Sequence, residues 1–241
     1  MIELDRVVKT LGGKTVLDGL SLTVREGETL VILGGSGTGK SVMLKHMVGL
    51  MKPDAGRVRV AGEDISDYTE RELEPVRRRY GYCFQGAALL NSLSVFENVA
   101  LPLREHEDLD REELGARVRE VLRLVGLEDA EQKMPAVLSG GMRKRAGLAR
   151  AIVRRPQIVL YDEPTAGLDP VISRTIDELI LDLRDRLKVT SVVVTHDIAS
   201  AFRVGTRLAM LHRGRIHLEG PPELFRTTHD ALVRQFVDGG R

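Results

Sequence analysis

Apolar and polar residues take turns over Ile2–Val8 and again over Leu20–Val24. A period of two marks strands with one buried face, and the Gly12-Gly13 and Asp18-Gly19 pairs between them carry turn chemistry. The next apolar run, Leu30–Leu33, breaks into Gly34-Gly35-Ser36-Gly37-Thr38-Gly39. Behind it Val42, Met43, Met47 and Val48 recur at helical spacing, Arg57–Val60 alternates as a strand, and Gly81–Phe84 predicts another.

From about Ala87 to Arg155 the pattern changes to that of helices. Asp110 stands three residues before Glu113, as in a capping box. Leu114, Val118, Val121, Leu122 and Val125 then form one stripe, and Gly126 falls where a helix stops. Gly140-Gly141 leads into a second helical stretch, Met142–Val153. Strand patterns return at Ile158–Tyr161 and Val189–Thr195, with a helix over Val171–Leu187 between them. Leu208–Leu211 and Arg215–Leu218 predict a hairpin turning at Arg213-Gly214, and Ala231–Val237 a last short helix. Strands alternating with helices predict an α/β core with a parallel sheet. Residues 87–155 read as a helical insert between 1–86 and 156–241, within one domain over 1–241.

Composition narrows the class. Against 36 basic residues stand 35 acidic ones, a net charge of +1 that offers no broad attraction to nucleic acid or anionic membrane. Apolar residues at 42% and charged ones at 29% describe a folded globular chain. A single cysteine excludes an internal disulfide framework and any multi-cysteine zinc site. The start, Met-Ile-Glu-Leu-Asp-Arg, is unlike a secretory leader, and the longest charge-free stretch, Tyr80–Phe96, is polar-interrupted and short of the ~20 residues of a spanning helix. The 24 glycines point to loops where backbone approaches something closely.

The chemistry starts at Gly34–Ser41. The run Gly34-Gly35-Ser36-Gly37-Thr38-Gly39-Lys40-Ser41 fits G-x-x-x-x-G-K-[ST], with a strand before it and a helix after. Glycines let successive N–H groups curl around phosphate oxygens, and the helix adds its positive end. Lys40 reaches the β- and γ-phosphates and Ser41 places its hydroxyl on Mg²⁺. An apolar run closing on Asp162-Glu163 is by itself an ordinary strand exit. Beside a P-loop it gains a role: Asp162 for the Mg²⁺ shell and Glu163 to orient or deprotonate water. The chain binds a nucleoside triphosphate.

With Leu138-Ser139-Gly140-Gly141-Met142 about twenty residues before Asp162-Glu163, the chain resembles the ATP-binding-cassette ATPases over nearly its whole length. Their signature is Leu-Ser-Gly-Gly-Gln. Gln85 matches the Q-loop, Ala166-Gly167-Leu168-Asp169 the D-loop, and His196 the switch histidine. The resemblance implies an antiparallel β subdomain at the N-terminus and a sandwich dimer, each signature helix closing over ATP on the other copy's P-loop. Nucleotide contacts then fall to Gly34–Ser41, Val42, Asp162, Leu11, Ser139, Gly140, Gly141 and Asp169; catalysis to Glu163, His196 and Gln85; Mg²⁺ to Ser41, Gln85 and Asp162. Helix N-termini with free N–H groups suit a γ-phosphate, which supports Ser139–Gly141 in that role.

Two positions depart from the broad pattern: Met142 replaces glutamine, and Leu11 stands where an adenine-stacking aromatic is usual. Outside the motifs, Cys83 reads as strand packing and Arg77-Arg78-Arg79 as a solvated basic turn. Arg143, Lys144, Arg145 and Arg150 either balance nucleotide charge or form an exposed helix face.

Repair and chromosome cassettes are split by long coiled coils, whereas Lys40 and Asp162 are 122 positions apart. Ribosome-acting forms usually carry two cassettes, and this chain carries one. A lone cassette looks like the detached ATPase of a bacterial transporter, docked on a separate multi-spanning permease at the cytoplasmic face of the inner membrane. Asn98–His106, Leu138–Ala146 and Val233–Gly239 resemble segments of Mla-type ATPases, in which Met142 is expected. That implies phospholipid or lipid transport with an MCE-domain lipid-binding subunit and no nucleic-acid partner. Another importer or a lipoprotein-release ATPase is the alternative.

Overall fold

The structure, a computed structural model, describes residues 1–239, so the last two residues of the expected 1–241 unit lie outside it. β1 (Ile2–Leu11) and β2 (Lys14–Val24) pair antiparallel from Ile2↔Val24 to Leu11↔Lys14. Their turn, Gly12-Gly13, has both residues at positive φ, 56° and 78°, which glycine adopts without strain. The expected turn at Asp18-Gly19 is not a turn. Gly19, at φ 66°, lies inside β2 where the register against β1 shifts between Val7↔Leu20 and Lys9↔Leu17. The pair is absorbed as a bulge, which needs the same left-handed glycine. β4 (Ala55–Val60) pairs with the other edge of β1, and β5 (Glu63–Asp64) completes the sheet β2-β1-β4-β5.

The second sheet holds β3 (Thr29–Leu33), β6 (Tyr80–Cys83), β7 (Ile158–Asp162), β8 (Thr190–Thr195), β9 (Arg207–His212) and β10 (Arg215–Gly220). Its order is β10-β9-β3-β8-β7-β6, parallel throughout except the β9–β10 hairpin. Continuous apolar runs in β3, β7 and β8 follow from burial on both faces. Val31, Leu33, Val159, Tyr161 and Val193 point into one core, and Leu30, Ile32, Ile158, Leu160, Val192 and Val194 into another. The second core also takes the first sheet and α1 (Lys40–Met47).

Between β6 and β7 run α3 (Val95–His106), α4 (Arg111–Leu124) and α5 (Gly140–Ile152), preceded by α2 (Glu70–Arg77) before β6. The stripe Val118, Val121, Leu122 of α4 shares the first core with the sheet. Asp110 accepts from the N–H groups of Glu112 and Glu113, and Gly126, at φ 64°, lets Leu127 N–H return to Leu122 O at 2.8 Å. Full capping boxes stand instead at Thr69/Glu72 and Ser94/Glu97, opening α2 and α3, two helices that the apolar pattern alone does not mark. Pro75 and Pro102 sit inside them. α5 starts two residues before the expected Met142, because Ser139 caps it and both glycines enter its first turn. The chain continues with α6 (Pro170–Leu187), α7 (Ile198–Val204), α8 (Pro222–Thr227) and α9 (Ala231–Gly239). No helix is long and apolar enough to cross a membrane among the described residues.

Candidate active site

β3 is flanked by β8 and β9, neither adjacent to it in sequence, and such a switch point places ligands beyond the carboxyl ends of the strands. Gly34–Gly39 leaves β3 there. Two of its glycines are required by close approach. A Cβ on Gly34 would stand 2.7 Å from Leu211 O, and one on Gly39, at φ 103°, 3.1 Å from Val16 O. No side chain caps α1, so its first N–H groups face the cradle.

Lys40 is 7% exposed and its Nζ donates to Gly34 O at 2.7 Å and Gly35 O at 3.1 Å. The same ammonium lies 3.3 Å from Glu163 Oε1. Ser41 Oγ donates to Asp162 Oδ1 at 3.0 Å, and Tyr82 OH reaches Oδ2 at 3.4 Å. Burial pushes the Asp162 carboxyl above the usual carboxylate range, and the Glu163 charge adds to that; the Ser41 and Tyr82 hydrogen bonds and Lys40 oppose it. Glu163 follows in the left-handed region, φ 50°, with its N–H on Val194 O at 2.9 Å. Its Oε2 accepts from His196, at 2.8 Å from Nδ1 and 3.4 Å from the backbone N–H.

A cavity of about 1190 Å³ opens on Lys40, Ser41, Glu163 and His196, with Gly34 and Asp162 behind its lining. Gly35–Ser41, Val42, Gln85, Glu163 and His196 line it, so the sheet brings together residues spread over much of the chain. Val16, Met210, Leu211, His212, Leu232, Gln235, Phe236 and Gly239 complete its wall. Motif spacing gave no signal for these eight; the strand order, with β9 beside β3, places Met210, Leu211 and His212, while Val16 comes from β2 and the other four from α9. Leu11 is 39% exposed and does not line this cavity; Val16, five residues on, does.

Ser139, Gly140, Gly141 and Asp169 also stand outside the cavity. They form a second assembly. Ser139 Oγ accepts from Met142 N–H at 3.2 Å, and Asp169 Oδ1 accepts from Val171 and Ile172 N–H at 3.0 Å, so each residue caps its helix. The helix ends pack tightly: a Cβ on Gly141 would stand 2.6 Å from Ile172 Cγ2, and one on Gly140 3.2 Å from Leu168.

Of the four basic residues of α5, Arg143 lies on the exposed face expected and Lys144 is buried, and all four bond backbone carbonyls. Arg143 donates to Leu138 O, Arg145 to the Val125 and Gly126 carbonyls, and Arg150 to those of Ala87 and Ala88. Lys144, 7% exposed, donates to the carbonyls of Gln85 and Glu163. All four tie α5 to backbone. Arg77, Arg78 and Arg79 pair with Glu70, Glu74 and Glu63, a paired rather than free turn. Cys83 is buried in the first core, which pushes its thiol up to about 11 and leaves it unreactive.

Comparison with known proteins agrees with this geometry. A family profile described as ABC transporter matches residues 17–166. The chain is 43% identical over 240 residues to the "Probable ribonucleotide transport ATP-binding protein mkl" of Mycobacterium tuberculosis, spanning 100% of this chain and 67% of that one. It is 38% identical over 239 residues to the "Intermembrane phospholipid transport system ATP-binding protein MlaF" of Escherichia coli, spanning 99% and 89%. The ATP-binding cassette MJ0796, solved as a dimer in a post-hydrolysis state with ADP and Pi, superposes with a TM-score of 0.85 at 35% identity, over 92% of this chain and 99% of that one. A phosphate cradle facing a paired carboxylate and histidine, in a chain this similar to a cassette bound to hydrolysis products, belongs to the ABC transporter family and is an ATPase subunit of a transporter.

Proposed function

We propose that this ATPase drives phospholipid or lipid transport through a separate multi-spanning permease, working as an ATP-sandwich dimer at the cytoplasmic face of the membrane. The observation that carries the chemistry is the convergence of Lys40 and His196 on Glu163 at the P-loop, 3.3 Å from its Oε1 and 2.8 Å from its Oε2. Lys40 neutralises Glu163 while no triphosphate is present. Phosphate oxygens draw the ammonium away from Oε1, and that oxygen is then free to accept from water. Oε2 stays on His196, which fixes the carboxylate's orientation. Gln85 lines the same cavity and contributes a polar side chain to the attacking side.

Ser41 and Asp162 present hydroxyl and carboxylate oxygens 3.0 Å apart, hard donors that fit Mg²⁺, with Gln85 as a third. When bound, the ion supplies neutralisation of phosphate charge. Residues 87–155 act as a helical subdomain whose Ser139–Gly141 end covers the other copy's ATP, with Asp169 beside it. Leu11 and the cavity wall flank the base.

The lipid reading is supported by Leu138–Ala146 with its Met142, by Asn98–His106, and by a relative named for phospholipid transport that the chain matches over 89% of its length. The relative named for ribonucleotide transport favours a second reading, a different importer. Affinity purification of the full chain from membranes tests both. Recovery of a permease together with an MCE-domain subunit, and ATPase activity that rises in that assembly, is the expected result. A permease without an MCE protein removes the lipid assignment, and hydrolysis stimulated only by nucleic acid or ribosomes removes transport altogether.

A further inference from the structure

Glu163 is held at φ 50°, a conformation that crowds Cβ against backbone in any residue but glycine. Something must hold it there. Its N–H is fixed by Val194 O, and its carbonyl accepts from Lys144 Nζ at 2.9 Å. The same ammonium donates to Gln85 O. Lys144 is buried on α5, five residues past Ser139, and its charge is spent on these two carbonyls rather than on a carboxylate. Arg150, further along α5, grips the carbonyls of Ala87 and Ala88, both also left-handed at φ 60° and 47°. One helix therefore holds the Gln85–Ala88 loop at three carbonyls and the Glu163 turn at a fourth.

We propose that Lys144 is a positioning residue for ATP hydrolysis: by binding the Gln85 and Glu163 carbonyls with one ammonium, it fixes the turn that aims the Glu163 carboxylate and makes that aim follow α5 and the Gln85 loop. The proposal rests on the reading of Glu163 as the water-orienting carboxylate. A shift of the Gln85 loop reaches the Glu163 backbone through Lys144, whereas the P-loop meets Glu163 and Asp162 at their carboxylates, through Lys40 and Ser41. The role is thus visible in turnover and not in nucleotide affinity.

A double-mutant cycle on the full chain separates this role from mere helix anchoring. ATP affinity and turnover per bound nucleotide are measured for the wild type, Lys144→Met, Glu163→Gln and the double variant. Lys144→Met, of similar length without a donor, is expected to bind ATP within about twofold of wild type and lose about tenfold or more in kcat at unchanged KM. Lys144→Arg, which still donates to carbonyls, is expected to recover much of that loss. In the Glu163→Gln background Lys144→Met should change the residual rate by less than about twofold, since it acts through the missing carboxylate. Should Lys144→Met fail to fold, Lys144→Gln, whose shorter, uncharged side chain does not span both carbonyls, carries the same comparison. Wild-type turnover in the Lys144 variant, or an equal loss with and without the Glu163 carboxylate, overturns the proposal. Wild-type turnover in Glu163→Gln overturns the catalytic reading instead, and the proposal with it.

Discussion

The P-loop end of α1 and the Ser139 end of α5 both place glycines at a helix N-terminus, yet they are finished differently. At the P-loop each charge is answered inside the chain: Lys40 by two carbonyls and Glu163, Asp162 by Ser41, Glu163 by His196. At α5 the capping is done by Ser139, and the flank is apolar and open, with Val137 70% and Val171 75% exposed. The first arrangement is balanced and needs a charged ligand to rearrange it. The second leaves an apolar flank uncovered, the face that the proposed sandwich dimer would close.

The largest effects should come from breaking the balanced half. Glu163→Gln keeps shape but loses the acceptor for a water proton, and a fall in turnover of about 10²–10⁴-fold with ATP still bound is expected. Lys40→Ala should lose ATP binding itself, because phosphate charge is then met only by N–H dipoles. Equilibrium binding and steady-state hydrolysis distinguish the two variants.

Mixing sharpens the contrast. Lys40→Ala damages only the P-loop half and Ser139→Arg only the α5 half, so each alone is expected to be inactive. Mixed together they should recover about one quarter of wild-type hydrolysis, since half the dimers are mixed and each holds one intact composite site. No recovery would place both halves of a working site in one chain.

A smaller effect concerns the base. Phe236 lines the cavity and Leu11 does not. Phe236→Ala should cost nucleotide affinity worth about 0.5–1.5 kcal/mol, the usual increment of an aromatic contact, with Leu11→Ala costing less. If instead Leu11→Tyr tightens binding and Phe236→Ala changes nothing, the base lies toward the β1–β2 turn. Competition between ATP and GTP reads both outcomes.

The smallest effect is in stability. His46, in α1 behind the P-loop, is buried with Nδ1 2.7 Å from Val42 O. Desolvation lowers its pKa below 6.5, with nearby Lys9 adding to that and the Val42 bond and Asp54 opposing. The unfolded chain then takes up this proton first as pH falls. The contribution to stability is fully present above about 6.5 and is lost on further acidification through the folded-state pKa. His46→Gln should flatten the denaturation midpoint against pH below that value.

Much of the balanced half could be read from the chain because its chemistry is local. Gly34–Ser41 and Asp162-Glu163 are contiguous motifs at strand ends. The Asp18-Gly19 pair misled because turns and bulges demand the same positive φ, and only pairing with β1 on both sides decides between them. Lys144 was illegible for a different reason. Its burial comes from the approach of α5 to the Gln85 loop and to the end of β7, contacts separated by 59 and 19 residues, and a lysine on a helix otherwise reads as solvated. The α9 contribution to the cavity was hidden likewise, since no motif in Ala231–Gly239 marks its approach to the glycine loop.

That sheet order also sets when the site can come into being. β1 and β2 close locally, but β3 pairs only with residues 191–195 and 207–210. A ribosome adding about 5–20 residues per second leaves β3 with both edges bare for roughly ten to thirty seconds. Parallel pairing over such separations is itself slow, because loop closure precedes any reward from contact. Through that interval Leu30–Leu33 is an apolar strand with no partner, a natural client for a chaperone. The P-loop is made well before the strands that flank β3 and acquires its structure only with them.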